Sequence, residues 1–329
     1  MSDLQEVCRG HIHTAAEPKV SVCVVTYNQE DYIAQCLQSL VDQLTDFEFE
    51  VIVGNDCSTD GTTAIIEDFA CRYPARVRHI KNDMNLGPYK NYWRTHMQAR
   101  GEYIAHVDGD DYALPGKLQA QADALDRFPD AALAAHAVQV IGSDRIIGND
   151  PAYPIVGTMR DLLRLGTYFA HSSVMYRRDQ GGNERFPEQV IDYYIHIERA
   201  ALGAIYLDKR VLGAYRYHAS GLSGNPEHAT AVERYYEQAF DRALALGIDP
   251  SFVERCRLER RMKHAIGRCL AGDVAGYAQV VLLRGAAEWR HASWRHRLLS
   301  LTRRQPAVVG LYFTAKRLLT GRSLPTRSA

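Results

Sequence analysis

The sequence predicts an α/β protein with a mostly parallel sheet flanked by helices, followed by a C-terminal helical appendage. Short β-branched apolar runs alternate with segments of helical periodicity at intervals of roughly 25–30 residues, which is typical of βαβ units. Polar clusters directly follow three of the apolar runs. From residue 226 onward, Ala-rich helical segments broken by glycines replace this alternation.

The first predicted elements alternate regularly between strand and helix. Val20 to Thr26 and Phe49 to Val53 are runs of the kind that are buried on both faces of a sheet. Between them, apolar residues recur at helical spacing, and Asn28 can cap that helix. A helix containing Ile65, Ile66 and Phe69 follows the second strand. We then expect a short strand at 77–80 and a helix around 89–98.

The second set of predicted elements completes the sheet and adds the helical region. Tyr103 to Val107 reads as a short buried strand, and Pro115 favours the first turn of a helix that runs to Leu125. Another strand is expected at 131–141. The helices expected beyond the sheet are 230–246, 250–270 and 274–285.

The three polar clusters are Thr26 to Asn28, Asn55-Asp56 and Asp108 to Asp111. Because parallel strands bind ligands at their carboxyl ends, these clusters are expected to form one site. Gly109 is expected to allow a backbone angle that other residues resist. Carboxylate oxygens in such a turn suit Mg²⁺ or Mn²⁺. An isolated Asp-rich turn can simply end a strand, but three clusters at one edge favour a functional site.

The composition is that of a globular protein, and the distribution of charge suggests a kind of binding partner. The chain has 329 residues, 46% of them apolar, and equal numbers of basic and acidic residues. The charge is uneven, because residues 251–329 contain 16 Lys and Arg but only 4 Asp and Glu. A basic region of this kind suggests a polyanionic neighbour such as a membrane surface or nucleic acid.

The sequence disfavours several kinds of functional site and several cellular locations. The seven scattered cysteines include no C-x-x-C pair, which favours reduced thiols and the cytosol. No secretory signal pattern and no apolar run of about 18 residues occurs, so we expect neither secretion by that route nor a membrane span. Dinucleotide, P-loop and G-x-S-x-G motifs are missing, as is a pair of histidines at zinc-binding spacing.

Four segments together resemble the family 2 glycosyltransferases, which have the Rossmann-like GT-A fold. They are Pro18 to Asn28, Val51 to Thr62, Asn85-Leu-Gly87 and Asp108-Gly-Asp-Asp111, and the resemblance covers residues 18–222. Asn55 departs from the family pattern, which usually has a first Asp at this position. Asp56 retains the second.

The resemblance implies an inverting transfer of a sugar from a nucleotide diphosphate, with a UDP-sugar as the expected donor. The acceptor is a hydroxyl of a glycan or a lipid-linked molecule, in bacterial cell-surface polysaccharide or lipopolysaccharide synthesis. Asp108, Asp110 and His218 are the implied ligands of Mn²⁺ or Mg²⁺. The expected nucleotide-binding residues are Thr26, Tyr27, Asn28, Asp56, Lys90, Asp108 and Gly109.

An inverting transfer needs a base that accepts the acceptor proton. By position in the family, this base is Asp192, although Ile191 replaces the usual Glu before it. Asp192 can also cap the helix that starts there, and Glu188 is the second candidate for the base. Residues expected near the acceptor or the diphosphate are Asp111, His171, Glu188 and Arg216.

The predicted organisation is a polar leader at 1–17, a catalytic domain at 18–224, a basic helical region at 225–322 and a tail at 323–329. The mixture of apolar and basic residues beyond 290 predicts contact with an anionic membrane surface, peripheral on its cytoplasmic face. The sequence leaves open whether this region instead packs against the catalytic domain or forms a dimer interface. No nucleic-acid motif accompanies the charge. A sugar-1-phosphate nucleotidyltransferase and a non-catalytic nucleotide-sugar-binding module are the alternative functions.

Overall fold

The computed structural model of this chain describes residues 17–178, 192–217, 229–270, 273–301 and 303–305. The chain forms two compact units. Among these residues, the first unit contains a ten-stranded sheet with helices packed against it, and the second is built from helices. The predicted fold class, an α/β sheet followed by a helical region, is confirmed.

The strands β1 to β10 are Val20–Thr26, Phe49–Asn55, Val77–Lys81, Tyr103–Asp108, Tyr112–Ala113, Ala131–Val140, Ile146–Ile147, Val156–Gly157, Met175–Arg177 and Ala204–Tyr215. The described α-helices, α1 to α11, are Ile33–Val41, Thr62–Arg72, Pro88–His96, Lys117–Arg127, Met159–Leu165, Asp192–Ala200, Ala229–Ala245, Pro250–Leu270, Val274–Val280, Gly285–His291 and Trp294–Leu301. A 3-10 helix, His171–Ser173, precedes β9.

The strand order across the sheet is β3-β2-β1-β4-β9-β6-β10-β5, with β7 beside β6 and β8 beside β10. The first four strands are mutually parallel, and β9 runs antiparallel to both of its neighbours. Thr26 pairs with Asn55 and Val25 pairs with Asp108. The register therefore brings the polar ends of β1, β2 and β4 to one edge of the sheet.

Helices on both faces explain why most residues of β1 are apolar. Val22 and Val24 pack with α1, whereas the Cys23 thiol faces the other way and lies 3.9 Å from the carbonyl oxygen of Thr95 on α3. Burial of each valine side chain contributes roughly 1.5–3 kcal/mol. Leu44 shares the helical spacing of α1 but is 87% exposed, since the helix ends at Val41.

Gly54 on β2 lets α3 lie close to the sheet. A Cβ at this position would be 1.7 Å from the Thr95 hydroxyl oxygen, so any larger residue would force the helix and the strand apart. The closely packed helix carries Asn91, which binds the carbonyl oxygen of Gly54 at 2.8 Å. This packing fixes the carboxyl end of β2, where the site lies.

The second unit has its own core around the long helix α8. Met262, Ala265, Tyr277 and Leu299 are among its buried apolar residues. Arg261 binds both carboxylate oxygens of Glu288 at 2.9 Å, in the bidentate geometry that guanidinium favours. Within the described parts of the chain, no helix is both long and apolar enough to cross a membrane.

Candidate active site

The turn after β4 is closely packed at Gly109. A Cβ on this residue would lie 2.8 Å from the Thr26 Cβ and 2.5 Å from the Gln29 Oε1. Gly109 is absent from the glycines with positive φ, so the expectation of an unusual backbone angle is wrong. Glycine is needed here because β1 approaches the turn too closely for a side chain.

Asp108 is held from two sides. Its Oδ1 lies 3.1 Å from the His106 Nε2, and its Oδ2 accepts a hydrogen bond of 3.1 Å from the Ser172 hydroxyl. The same hydroxyl oxygen accepts from the Asp108 backbone N–H at 3.0 Å. Burial opposes ionisation, but His106 and Ser172 outweigh it and hold the pKa of Asp108 below its usual range. Asp108 is therefore a fixed, charged carboxylate.

Asp111 is buried and anchors the turn rather than facing outward. Its Oδ1 accepts from the backbone N–H of Arg216 at 2.7 Å, and its Oδ2 has no hydrogen-bond partner among the described residues. Burial and the carboxylates of Asp108 and Asp110 raise the pKa of Asp111 well above its usual range. Lys117, also buried, donates to the carbonyl oxygen of Ser172 at 2.6 Å, and burial lowers its pKa to about 8.

Arg216 lies against the same turn. Its Nε donates to the Asp110 carbonyl oxygen at 3.0 Å, and its guanidinium lies 4.6 Å from the centre of the Tyr32 ring. A further bond of 2.9 Å joins the guanidinium to the Gln35 side chain. A fixed positive charge therefore lies beside the carboxylates of this turn.

Asp56 is buried at the end of β2. Its carboxylate accepts from the backbone N–H groups of Leu86 and Gly87 at 2.8 and 2.9 Å, and from the Asn82 amide at 2.8 Å. Asp56 therefore holds the loop that leads into α3. A carboxylate has roughly four acceptor positions, so these three bonds leave about one of them unused. Contact between Asp56 and a nucleoside stays a prediction.

The residues after β1 differ in their exposure. Thr26 is buried and donates to the Gln29 side chain at 2.8 Å, whereas the Tyr27 side chain is exposed. Asn28 has a φ of 50° and accepts from the Thr59 backbone N–H at 2.8 Å. The predicted capping role of Asn28 is wrong, because its side chain binds the loop after β2 and α1 begins only at Ile33.

Asp192 is the first residue of α6, and two histidines lie close to it. His171 comes from the 3-10 helix and His196 follows one turn along α6. One ligand atom from each of the three side chains lies within 4.8 Å of the others. Burial and neighbouring histidines lower the pKa of His171 well below its usual value, and burial lowers that of His196 to about 3. Both imidazoles are therefore neutral at pH 7.

The sequence reasoning missed a row of buried histidines. His96 Nε2 lies 3.0 Å from His106 Nδ1, and His96 also bonds the Tyr176 hydroxyl. The rings of His106 and His171 are 4.1 Å apart, and those of His171 and His196 are 5.2 Å apart. These side chains connect Asp108 to Asp192. Only the spacing of Asp192 and His196, four residues apart on a predicted helix, could have drawn attention to them.

Of the remaining predicted site residues, the structure describes Lys90. Lys90 is exposed on α3 and lines a shallow cleft of about 420 Å³ with Tyr89, Trp93 and Arg94. Its contact with a nucleotide stays a prediction. His218 and Glu188 lie outside the described residues.

Comparison with known proteins identifies the family. The family model for glycosyl transferase family 2 matches residues 21–180. An uncharacterized protein of Mycobacterium tuberculosis, Rv1520, is 30% identical over 330 residues, covering 92% of this chain and 93% of that protein. The chain belongs to glycosyl transferase family 2. This glycosyltransferase also resembles the putative glycosyltransferase EpsE of Bacillus subtilis, with 32% identity over 49% of this chain and 56% of that protein.

Solved structures support the GT-A fold of this glycosyltransferase. The crystal structure of residues 1–349 of Staphylococcus aureus TarS, in complex with UDP-GlcNAc, has a TM-score of 0.68 and 20% identity, covering 94% of each chain. A mannosyltransferase from Pyrobaculum calidifontis, in complex with GDP-Man and Mn²⁺, has a TM-score of 0.55 and 17% identity, covering 97% of this chain and 93% of that one. At these identities the likeness concerns the fold alone.

Proposed function

We propose that this glycosyltransferase moves a sugar from a nucleotide diphosphate to an acceptor hydroxyl, with inversion at the anomeric carbon. The observation that carries the proposal is the set of contacts between Asp108 and Asp192. Ser172 donates to Asp108, and its chain neighbour His171 offers a ligand atom within 4.8 Å of Asp192. The turn proposed to hold the diphosphate and the carboxylate proposed to activate the acceptor are thus only a few side chains apart.

The proposed cation site consists of Asp108 and Asp110, with Mn²⁺ or Mg²⁺ as the cation. The donor set fits, because both residues supply the oxygen ligands that these hard cations prefer. The low pKa of Asp108 also keeps this ligand charged at neutral pH. A bound divalent ion would stabilise the negative charge that grows on the departing diphosphate. Arg216 would add a second positive charge beside the turn.

Asp192 is the proposed base. As the acceptor oxygen bonds to the anomeric carbon, its proton passes to the Asp192 carboxylate. The bond from the anomeric carbon to the diphosphate breaks at the same time, and its electron pair leaves with the diphosphate. The imidazoles of His171 and His196 lie beside Asp192, each with a ring nitrogen close to its carboxylate.

A UDP-sugar is the proposed donor. The structurally similar TarS has been crystallised with UDP-GlcNAc and with UDP, whereas the mannosyltransferase from Pyrobaculum calidifontis was crystallised with GDP-Man. The proposed acceptor is a glycan or lipid-linked hydroxyl in bacterial cell-surface polysaccharide synthesis. The similarity to TarS, a poly(ribitol-phosphate) β-N-acetylglucosaminyltransferase of Staphylococcus aureus, supports an acceptor of that general kind.

A thermal-shift panel of UDP-, GDP- and dTDP-sugars, each with and without Mn²⁺, tests the donor. We expect a UDP-sugar to raise the melting temperature most, and only when the metal is present. Asp110→Asn should remove the metal-dependent part of the shift. Equal shifts with and without Mn²⁺ would contradict the proposed cation site, and a larger shift with another nucleotide would correct the donor.

The rate of sugar transfer from the identified donor, or of its hydrolysis, then tests whether Asp192 is the base. Asp192→Asn should lower kcat about 10²–10⁴-fold while leaving donor binding in place. Asp68→Asn is the matched control, because Asp68 is an exposed acid paired with Arg72 on α2. Turnover of Asp192→Asn at the rate of this control would remove Asp192 from the mechanism.

We also propose that α11 touches an anionic membrane surface. Trp294, Leu298 and Leu301 are 65%, 45% and 67% exposed and recur at helical spacing, so they share one face of the helix. The exposed Arg295 and Arg297 accompany this face. A basic helix with an exposed apolar face suits a lipid headgroup region.

Co-sedimentation with vesicles of anionic lipid tests the membrane contact. Leu298→Glu should lower the bound fraction, because it adds a negative charge to the apolar face. Leu44→Glu is the control, since Leu44 is also an exposed leucine, 87% exposed against 45% for Leu298, but lies after α1 in the first unit. Equal sedimentation of the two variants would contradict the proposal.

A further inference from the structure

We propose that His171, Asp192 and His196 form a second metal site, selective for a borderline transition-metal ion such as Zn²⁺. The cluster combines two imidazoles with one carboxylate, and one ligand atom from each lies within 4.8 Å of the other two. Two residues come from α6 at positions i and i+4, so one face of the helix presents both. The third comes from the 3-10 helix.

The ring nitrogens that lack hydrogen-bond partners support a metal ion bound between these histidines. His196 is 1% exposed, and both of its ring nitrogens lack a hydrogen-bond partner among the described residues. The buried Nδ1 of His171 also lacks one. Buried polar groups without partners are uncommon in folded proteins, and each needs a physical explanation. A metal ion bound between the rings would satisfy one nitrogen of each histidine.

The donor set distinguishes this site from the one proposed at Asp108 and Asp110. That pair offers only oxygen atoms, which suit Mg²⁺ and Mn²⁺. Imidazole nitrogen is preferred by Zn²⁺ and similar ions, and two histidines with one carboxylate form a known set of three protein ligands that leaves a position open. Both imidazoles are kept neutral by burial, and the neutral ring is the form that binds a metal.

Binding of Zn²⁺ to this cluster would change the activity of the enzyme, a consequence that rests on the proposed function. A carboxylate bound to Zn²⁺ has a lone pair committed to the metal and is a much weaker base. Zn²⁺ at this site should therefore inhibit transfer, whereas Mn²⁺ at the Asp108 turn should support it. Zinc would act as an inhibitor that competes with the acceptor proton for Asp192.

Metal binding is measured first, without donor or acceptor. Purified full-length protein freed of metals is titrated with Co²⁺, whose visible absorption is strong in four- or five-coordinate sites with nitrogen ligands and weak in octahedral oxygen sites. We expect the strong spectrum at one equivalent, and we expect Zn²⁺ to displace it. Asp110→Asn should keep the spectrum, because it alters only the oxygen site.

His171→Gln and His196→Gln should each lower Zn²⁺ affinity at least tenfold in calorimetric titration. His291→Gln is the control, since this histidine lies on α10, in the second unit. Circular dichroism and thermal unfolding establish that each variant is folded. If one histidine variant fails to fold, the other and Asp192→Asn still test the site.

Two results would overturn the proposal. One is a weak, octahedral Co²⁺ spectrum that Asp110→Asn abolishes, because the oxygen site would then account for all the binding. The other is Zn²⁺ affinity that is the same in the wild type, in the two cluster variants and in the control. These measurements use no sugar donor, so they can succeed if the proposed transfer fails and fail if it succeeds. With an active enzyme, the wild type should be inhibited by Zn²⁺ at lower concentrations than His196→Gln.

Discussion

The hydroxyl of Ser172 is expected to hold Asp108 in place, and Ser172→Ala tests this. The variant removes two contacts, the acceptor for the Asp108 backbone N–H at 3.0 Å and the donor to its Oδ2 at 3.1 Å. A neutral hydrogen bond contributes about 0.5–1.5 kcal/mol and one to a charged group about 1.5–3 kcal/mol. The Asp108 side chain is 36% exposed, so water replaces part of the loss. We expect a net destabilisation of about 2 kcal/mol at pH 7.

The effect should depend on pH in one direction. The pKa of Asp108 is lower in the folded protein than its usual value, so its contribution to stability is present above the unfolded pKa of about 3.9. This contribution is lost as the pH falls through the lower, folded value. The stability difference between the wild type and Ser172→Ala should therefore be constant near neutrality and shrink below about pH 4.

Urea unfolding followed by circular dichroism measures this difference, and Mn²⁺ titration gives a second readout. Removal of a group that orients a metal ligand typically lowers affinity about 10–100-fold, so we expect at least a tenfold loss in Ser172→Ala. Ser173→Ala is the control, because the adjacent hydroxyl donates to the Ala170 carbonyl oxygen at 2.7 Å instead. A destabilisation below about 0.5 kcal/mol, or equal Mn²⁺ affinity in the two variants, would refute the reasoning.

Two further predictions concern buried positions around the site. Lys117 has a pKa of about 8 when folded, below its unfolded value, so the unfolded chain binds more protons between about pH 8 and 10.4. Wild-type stability relative to Lys117→Met should therefore rise by about 2 kcal/mol over that range in urea unfolding, and a flat difference would contradict it. Gly54→Ala places a Cβ 1.7 Å from the Thr95 hydroxyl oxygen and should destabilise by about 1–3 kcal/mol. Thr95→Ala in the same chain should recover part of that loss in thermal unfolding, and no recovery would locate the strain elsewhere.

The strands and the edge of the sheet that carries the site were predictable from the sequence. β1 and β2 are mostly apolar because both of their faces are covered, and burial on both faces leaves a signal that is local in the chain. The polar residues after these strands mark their carboxyl ends. Because parallel strands align those ends, Thr26, Asn55 and Asp108 meet at one edge, as expected.

Other features depended on contacts between distant segments. Gly109 is required by the approach of Thr26, and Asn28 binds the loop at Thr59 instead of capping α1. The expectations for both residues used local backbone rules, which cannot detect a neighbour supplied by another part of the chain. In the same way, a lone His171 carried little weight in the sequence.

What the sequence by itself determined is the alternation of strands and helices and the edge on which polar residues gather, since periodicity and turn residues act over a few positions. Only the tertiary structure decided that His171, Asp192 and His196 converge and that a row of histidines joins Asp192 to Asp108. Their proximity follows from β9 being inserted between β4 and β6, which brings the 3-10 helix before it beside the end of β4. Strand order is set by packing over the whole sheet, and no local pattern in the chain encodes it.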